Sequence, residues 1–122
     1  MILLDTNAII WLLQRHKRAR ALERRARLYM SPASLLELQF LLEAGRIAVS
    51  DGDAIAQVTA DPRWQYDEPP AGPWFAEATE LGWTRDPFDR LLVAHARVRR
   101  WKLATGDQAL LSRLPGSDVI PL

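Results

Sequence analysis

With 122 residues, 48% of them hydrophobic, and no cysteine, the chain is long enough for one compact α/β core and short for two, so residues 1–122 read as a single domain. The absent thiols exclude disulfide staples, zinc fingers, iron–sulfur clusters and cysteine nucleophiles, leaving oxygen and nitrogen chemistry. A net charge of +1, from 16 Lys and Arg against 15 Asp and Glu, gives the chain as a whole no pull toward a polyanion.

Met1 to Leu4 is a short continuous apolar run, the pattern of a fully buried strand, and Ala8 to Leu13 follows as a short helix. That stretch is far too short to span a bilayer, and Asp5 and Asn7 stand where a signal peptide carries positive charge. A soluble, cytoplasmic protein with no membrane partner is expected. Arg18 to Arg27 predicts an arginine-rich helix and Leu28 to Met30 a strand. Ser31-Pro32 then supplies an N-cap and a first-turn proline for a helix with Leu35, Leu36, Leu38, Leu41 and Leu42, stopped by Gly45.

Arg46 to Val49 reads as a minor strand or extended link, Asp51 to Thr59 as a helix with an acidic cap, and Trp64 to Tyr66 as a strand. Residues 67–73 hold three prolines and a glycine and read as a loop. Trp74 to Leu81 is predicted helical with Gly82 as its stop. Asp86-Pro87 opens a clear amphipathic helix with Phe88, Leu91, Leu92, His95 and Val98 on one stripe. Lys102 to Thr105 is a strand, Asp107 to Leu114 a helix and Val119-Ile120 a last strand. Alternating strands and helices predict an α/β fold, a three-layer α/β/α sandwich around a mainly parallel sheet.

Ligands of such sheets bind beyond the carboxyl ends of the strands. Asp5 and Asp107 follow two predicted strands, while Glu37 and Asp89 lie early in the two clearest helices, so four carboxylates are able to converge. Convergent carboxylates repel one another unless a cation neutralises them, and an all-oxygen donor set favours Mg²⁺ or Mn²⁺ over zinc. Because Mg²⁺ takes one or two carboxylates and completes its shell with water and substrate phosphate, a phosphate ester or phosphodiester is the expected substrate.

The charge distribution adds to this. Between Arg15 and Arg27, seven basic residues face one acid, Glu23, a local balance of +6 that leaves −5 elsewhere. Such an arm suits nucleic-acid phosphates, or equally a solvated helix face.

Each acid also has a structural explanation. Glu37 follows Ser34 at capping-box spacing, Asp89 favours a helix dipole, and Asp86 and Asp107 suit N-caps; Asp5 has no obvious helix end to serve. His95, on an apolar stripe, reads as a satisfied core histidine and His16 as part of the arm. Of the five dispersed tryptophans, Trp11 and Trp74 suit an interface.

Four segments in order, Ile2-Leu3-Leu4-Asp5-Thr6-Asn7, Ser31 to Glu37, Arg85 to Ala94 and Leu103-Ala104-Thr105-Gly106-Asp107, resemble the motifs of PIN-domain ribonucleases, and more narrowly the VapC-type toxins of bacterial type II toxin–antitoxin pairs. The resemblance implies metal-site acids at Asp5, Glu37, Asp89 and Asp107, with Asn7, Asp86 and Thr105 in support. It further implies Mg²⁺- or Mn²⁺-dependent endonucleolytic cleavage of RNA, a homodimer and inhibition by a cognate antitoxin. Arg15, Lys17, Arg18, Arg85 and Arg90 are candidates for holding the RNA, and an apolar groove near Trp11, Leu12, Leu13 and the second helix for docking the antitoxin. Glycine at 106 departs from other members. Two alternatives remain: a catalytically silent PIN-fold module that binds RNA or protein, and a nuclease acting on DNA flaps, for which the chain is short.

Overall fold

A computed structural model describes residues 1–25, 27–48 and 53–122. Its sheet has five strands, β1 (Ile2–Leu4), β2 (Leu28–Met30), β3 (Gln65–Tyr66), β4 (Lys102–Thr105) and β5 (Val119–Pro121), in the order β3-β2-β1-β4-β5 with every pair parallel. Around it lie α1 (Thr6–Leu13), α2 (Pro32–Glu43), α3 (Ala54–Thr59), α4 (Ala71–Thr79), α5 (Pro87–Arg99) and α6 (Gln108–Arg113). The chain moves outward from β1 through β2 to β3, then crosses back to lay β4 on the other flank of β1. That reversal opens a crevice between the carboxyl ends of β1 and β4.

Strand alternation divides the core. Ile2 and Leu4 pack with Ile9, Leu12, Leu22, Met30 and Leu38 on one face. Leu3 packs with Trp74, Leu81, Leu92, Leu103 and Leu110 on the other. The sandwich is therefore three-layered, as the strand and helix alternation implies.

Several elements differ from the sequence expectation. The arginine-rich segment forms a 3-10 helix at Lys17–Leu22 rather than an α-helix over 18–27, since like charges at helical spacing repel and a poorer helix is confined to a short piece. Helix α1 begins at Thr6, two residues early, because Asp5 caps it. Helix α4 begins at Ala71, inside the supposed proline loop; Pro73 lies in its first turn, where a missing N–H costs nothing. It ends at Thr79, and Gly45 at φ 69° is the glycine with positive φ among the described residues, so Gly82 is not a left-handed stop. Arg46 to Ala48 form no strand, and Val49 and Asp51 lie outside the described residues. Helix α3 is capped by Asp53, whose Oδ1 accepts from the Ile55 and Ala56 amides at 3.1 and 3.2 Å.

Candidate active site

Asp5 is the single residue between β1 and α1. Its amide donates to the Ala104 carbonyl at 3.1 Å, continuing the ladder to β4. Its Oδ1 accepts from the Ala8 amide at 2.7 Å. It is 5% exposed. The sequence offers this aspartate no obvious helix end to serve; in the structure it is the N-cap of α1. Across the β1–β4 boundary, Asp107 caps α6, with Oδ1 accepting from Ala109 at 2.8 Å and Leu110 at 3.2 Å, while its amide donates to Thr105 Oγ1 at 3.1 Å.

The other acids come from two helices that pack together, α2 and α5. Asp86 caps α5 through the Phe88 and Asp89 amides at 2.8 and 3.2 Å, and Asp89 lies in the first turn. Ser31 caps α2, so Ser34 forms no capping box with Glu37. Ser34 is instead buried against Thr6, hydroxyl to hydroxyl at 3.0 Å. Asp5, Glu37, Asp86, Asp89 and Asp107 line one cleft of about 190 Å³ together with Thr6, Asn7 and Leu92. No Lys, Arg or His lines it.

The uncompensated charge shows in the titration of the cluster. Burial pushes the Asp5 carboxyl up to about 6, with Glu37 and Asp107 adding repulsion and the Thr105 hydroxyl and Ala8 amide opposing. Burial pushes Asp89 up to about 7, reinforced by Asp86, Asp107, Glu37 and Asp5. Glu37 is raised by burial and by Asp86, against the Thr6 hydroxyl.

Sequence and structure comparisons agree with this architecture. The PIN domain family model matches residues 2–116. The chain belongs to the PIN domain family. No curated protein sequence matches it. Among solved structures, a toxin–antitoxin complex from Klebsiella pneumoniae superimposes with a TM-score of 0.72 at 18% identity, covering 98% of this chain and 96% of the other. VapBC2 from Rickettsia felis bound to a promoter DNA fragment gives 0.63 at 19% identity, covering 99% and 98%. FitAcB from Neisseria gonorrhoeae gives 0.51 at 26% identity, covering 89% of each chain.

The donor set of this PIN chain fits a hard divalent cation, being oxygen-only, half-buried and lacking an internal counter-charge. Among the described residues no group of three or more His, Asp or Glu side chains closes around a point where an ion would be held. Mg²⁺ is compatible with that openness, since it keeps several waters and takes one or two carboxylates.

The basic arm does not gather over the cleft. Arg18 reaches the loop before Asp107, donating to the carbonyls of Gly106 at 3.3 Å and Leu122 at 3.0 Å, with its guanidinium 4.3 Å from the Trp11 ring centroid. Arg15 lines a different cleft, with Arg25 and Arg63, and Lys17 is exposed. Arg90 Nε is tied to the Thr84 carbonyl at 2.8 Å, and Arg85 is exposed beside Asp86.

Two groups of residues escaped the sequence reading. A Cβ on Gly106 would lie 2.6 Å from both Arg18 Nη2 and Trp11 Cη2; the glycine lets this pair press on the backbone that leads to Asp107. Trp11 thus takes part in the site's support, and Leu12 is buried in the core. The second group is Thr6, whose only sequence signal is its place beside Asp5.

His95 is fully buried, with Nε2 paired to Asp67 Oδ2 at 2.7 Å while Nδ1 has no hydrogen-bond partner, so it is only half satisfied. Burial lowers its pKa, with Asp67 opposing and Arg99 assisting. The neutral ring therefore donates through Nε2–H. Arg99 closes the group with bonds of 2.9 and 3.1 Å to Asp67. Trp74 is core, its Nε1 donating to the Leu91 carbonyl at 2.8 Å.

Proposed function

We propose that this PIN chain, acting as one domain over 1–122, is the toxin of a toxin–antitoxin pair and a metal-dependent endoribonuclease. Asp5, Glu37, Asp89 and Asp107 would hold Mg²⁺ or Mn²⁺, with Asn7, Asp86, Thr105 and Thr6 in support. The observation that carries the reading is the cleft itself: five carboxylates at the sheet's topological switch point, with no cation lining it and two of their pKa values raised to about 6 and 7. Such a cluster is costly to keep ionised alone and is relieved by a divalent ion.

When bound, the ion withdraws charge from the scissile phosphate and acidifies a water. The chain's own part is to orient and to accept. The Ala8 amide and Thr105 hydroxyl hold Asp5 in place. The Arg18–Trp11 pair holds the Asp107 loop. A cluster carboxylate would accept the proton that the attacking water loses as its oxygen bonds to phosphorus, and as the ester bond breaks the leaving oxygen would take a proton from that carboxylic acid or from solvent water.

One of the superimposed structures is a toxin–antitoxin complex by name, and an antitoxin is the proposed partner here. An apolar groove lined by Ile10, Leu13, Leu38, Leu42, Ile55 and Val58 offers its docking site. Of the expected groove this keeps Leu13 and leaves out Trp11, Leu12 and the arginine-rich second helix, with α2 and α3 taking its place. A homodimer and a cytoplasmic location complete the reading; no helix among the described residues is long and apolar enough to cross a membrane.

The deciding experiment incubates purified protein with total RNA and Mg²⁺ or Mn²⁺, beside EDTA and a folded Asp5→Ala variant. Discrete cuts abolished by both controls support the reading. Cutting that survives Asp5→Ala removes this site from the chemistry, and no cutting by folded, metal-loaded, antitoxin-free protein leaves a silent PIN module that binds RNA or protein.

A further inference from the structure

The amino-terminal end of the sheet, opposite the carboxylate cleft, carries positive charge. Arg27 immediately precedes β2 and gives its carbonyl to the Ile2 amide at 3.0 Å, while Lys102 opens β4 in register with Ile2. Both therefore flank the start of β1, about 10 Å apart at two strand spacings.

Two clefts open at this end. One, of about 400 Å³, is lined by Arg27, Tyr29 and Arg63 and by no acid. The other, of about 460 Å³, is lined by Arg97, Arg100, Trp101 and Lys102, with Glu77 and Asp118 as its acids. Arg63 is held by Asp61 at 2.7 Å and Arg97 by Glu77 at 3.6 Å. Arg27, Arg100 and Lys102 are exposed and, among the described residues, in no ion pair. Tyr29 of the first cleft stacks on Trp101 of the second with centroids 4.2 Å apart, so a half-buried aromatic pair joins the two.

Arg100 has an unusual backbone, shared among the described non-glycine residues by Arg15. It ends α5 in the left-handed conformation, φ 59° and ψ 40°, where glycine is the usual residue.

We propose that this end is a second nucleic-acid contact, in which Arg27, Arg100 and Lys102 hold the phosphates of a single-stranded RNA segment and the Tyr29–Trp101 pair stacks a base. Free cations around an aromatic platform are the combination by which single strands are bound without base readout. Both rings also pack on the core beneath them, with Trp101 beside His95 and Arg99, so the platform is held rigid. The inference rests on the proposed RNA substrate and extends it to a strand that continues past the cut site and around the molecule.

The test is fluorescence anisotropy of a labelled 12-nucleotide oligouridylate with the full chain in EDTA, from 50 to 200 mM salt. Without metal the carboxylate end repels phosphate, so binding reports the cationic end. The Arg27→Glu/Lys102→Glu variant changes two exposed side chains, and Arg100→Gly relaxes the backbone, so both fold. The double variant is expected to weaken binding at least about tenfold and to reduce the slope of log affinity on log salt by about 1.4, two single-strand phosphate contacts. Arg100→Gly is expected to weaken binding several-fold with no fall in Tm. Wild-type affinity and slope in both variants would overturn the inference, and loss of polyglutamate binding in their place would assign the patch to an acidic protein. If the wild type cuts RNA while these variants bind like it, only this inference fails; if it neither binds nor cuts, the ribonuclease reading fails too.

Discussion

The two ends of one five-stranded sheet carry opposite chemistry. At the carboxyl ends, Asp5, Glu37, Asp86, Asp89 and Asp107 line a cleft with no cation. At the amino ends, Arg27, Arg100 and Lys102 stand around a stacked Tyr29–Trp101 pair. Strand direction makes this separation possible, because in an all-parallel sheet every strand begins at one end and finishes at the other. A net charge near zero therefore says little about either end.

The largest test of the contrast neutralises the buried acid. Asp5→Asn keeps an oxygen for the Ala8 amide yet removes the charge, so cleavage should fall at least about a hundredfold. The same change should raise the stability of the metal-free protein at pH 8 by about 1–3 kcal/mol. The sign follows from the raised pKa: the folded carboxyl titrates at about 6 rather than 3.8, so its stabilising protonation is complete below 3.8 and lost as pH climbs through 6. Asp89, at about 7, behaves alike. Metal-free wild type should melt progressively lower from pH 5 to pH 8, and millimolar Mn²⁺ should recover the loss at pH 8. A melting temperature that ignores both pH and Mn²⁺ would contradict the account of this end.

Asp67→Ala strikes a network that starts just after β3 and reaches the Trp101 ring through His95 and Arg99. It strands buried His95 Nε2 and frees Arg99, at a cost of about 2–3 kcal/mol in urea denaturation. Gly106→Ala forces a Cβ against Arg18 and Trp11 and should lower cleavage about tenfold by displacing Asp107. Arg18→Ala, which removes an exposed clamp, should cost a few-fold in activity and less than about 1 kcal/mol. Should Gly106→Ala prove harmless, the clamp is not what positions the loop.

Much of this was legible in the chain. The apolar runs at Ile2 to Leu4 and Lys102 to Thr105, and the capped starts Ser31-Pro32 and Asp86-Pro87, record local rules of burial and capping that hold wherever those segments lie. Errors fell where a local rule had rivals. Pro73 has the mark of a breaker, yet the first helical turn tolerates it, and the run of arginines has helical spacing, yet its charges repel.

Residue types and their local elements, then, were set by the sequence by itself: which carboxylates close a strand, which open a helix, and that no thiol chemistry is available. Their company was decided only in three dimensions. The crossing from β3 back to β4 places Thr105 beside Asp5, and the packing of α2 on α5 brings Glu37 to the same cleft as Asp89. It also splits the basic arm, sending Arg18 to Gly106 at the acidic end and Arg27 to the opposite one. Those juxtapositions join residues up to about a hundred positions apart, beyond the reach of any periodicity, because they follow from strand order and layer packing rather than from local propensity.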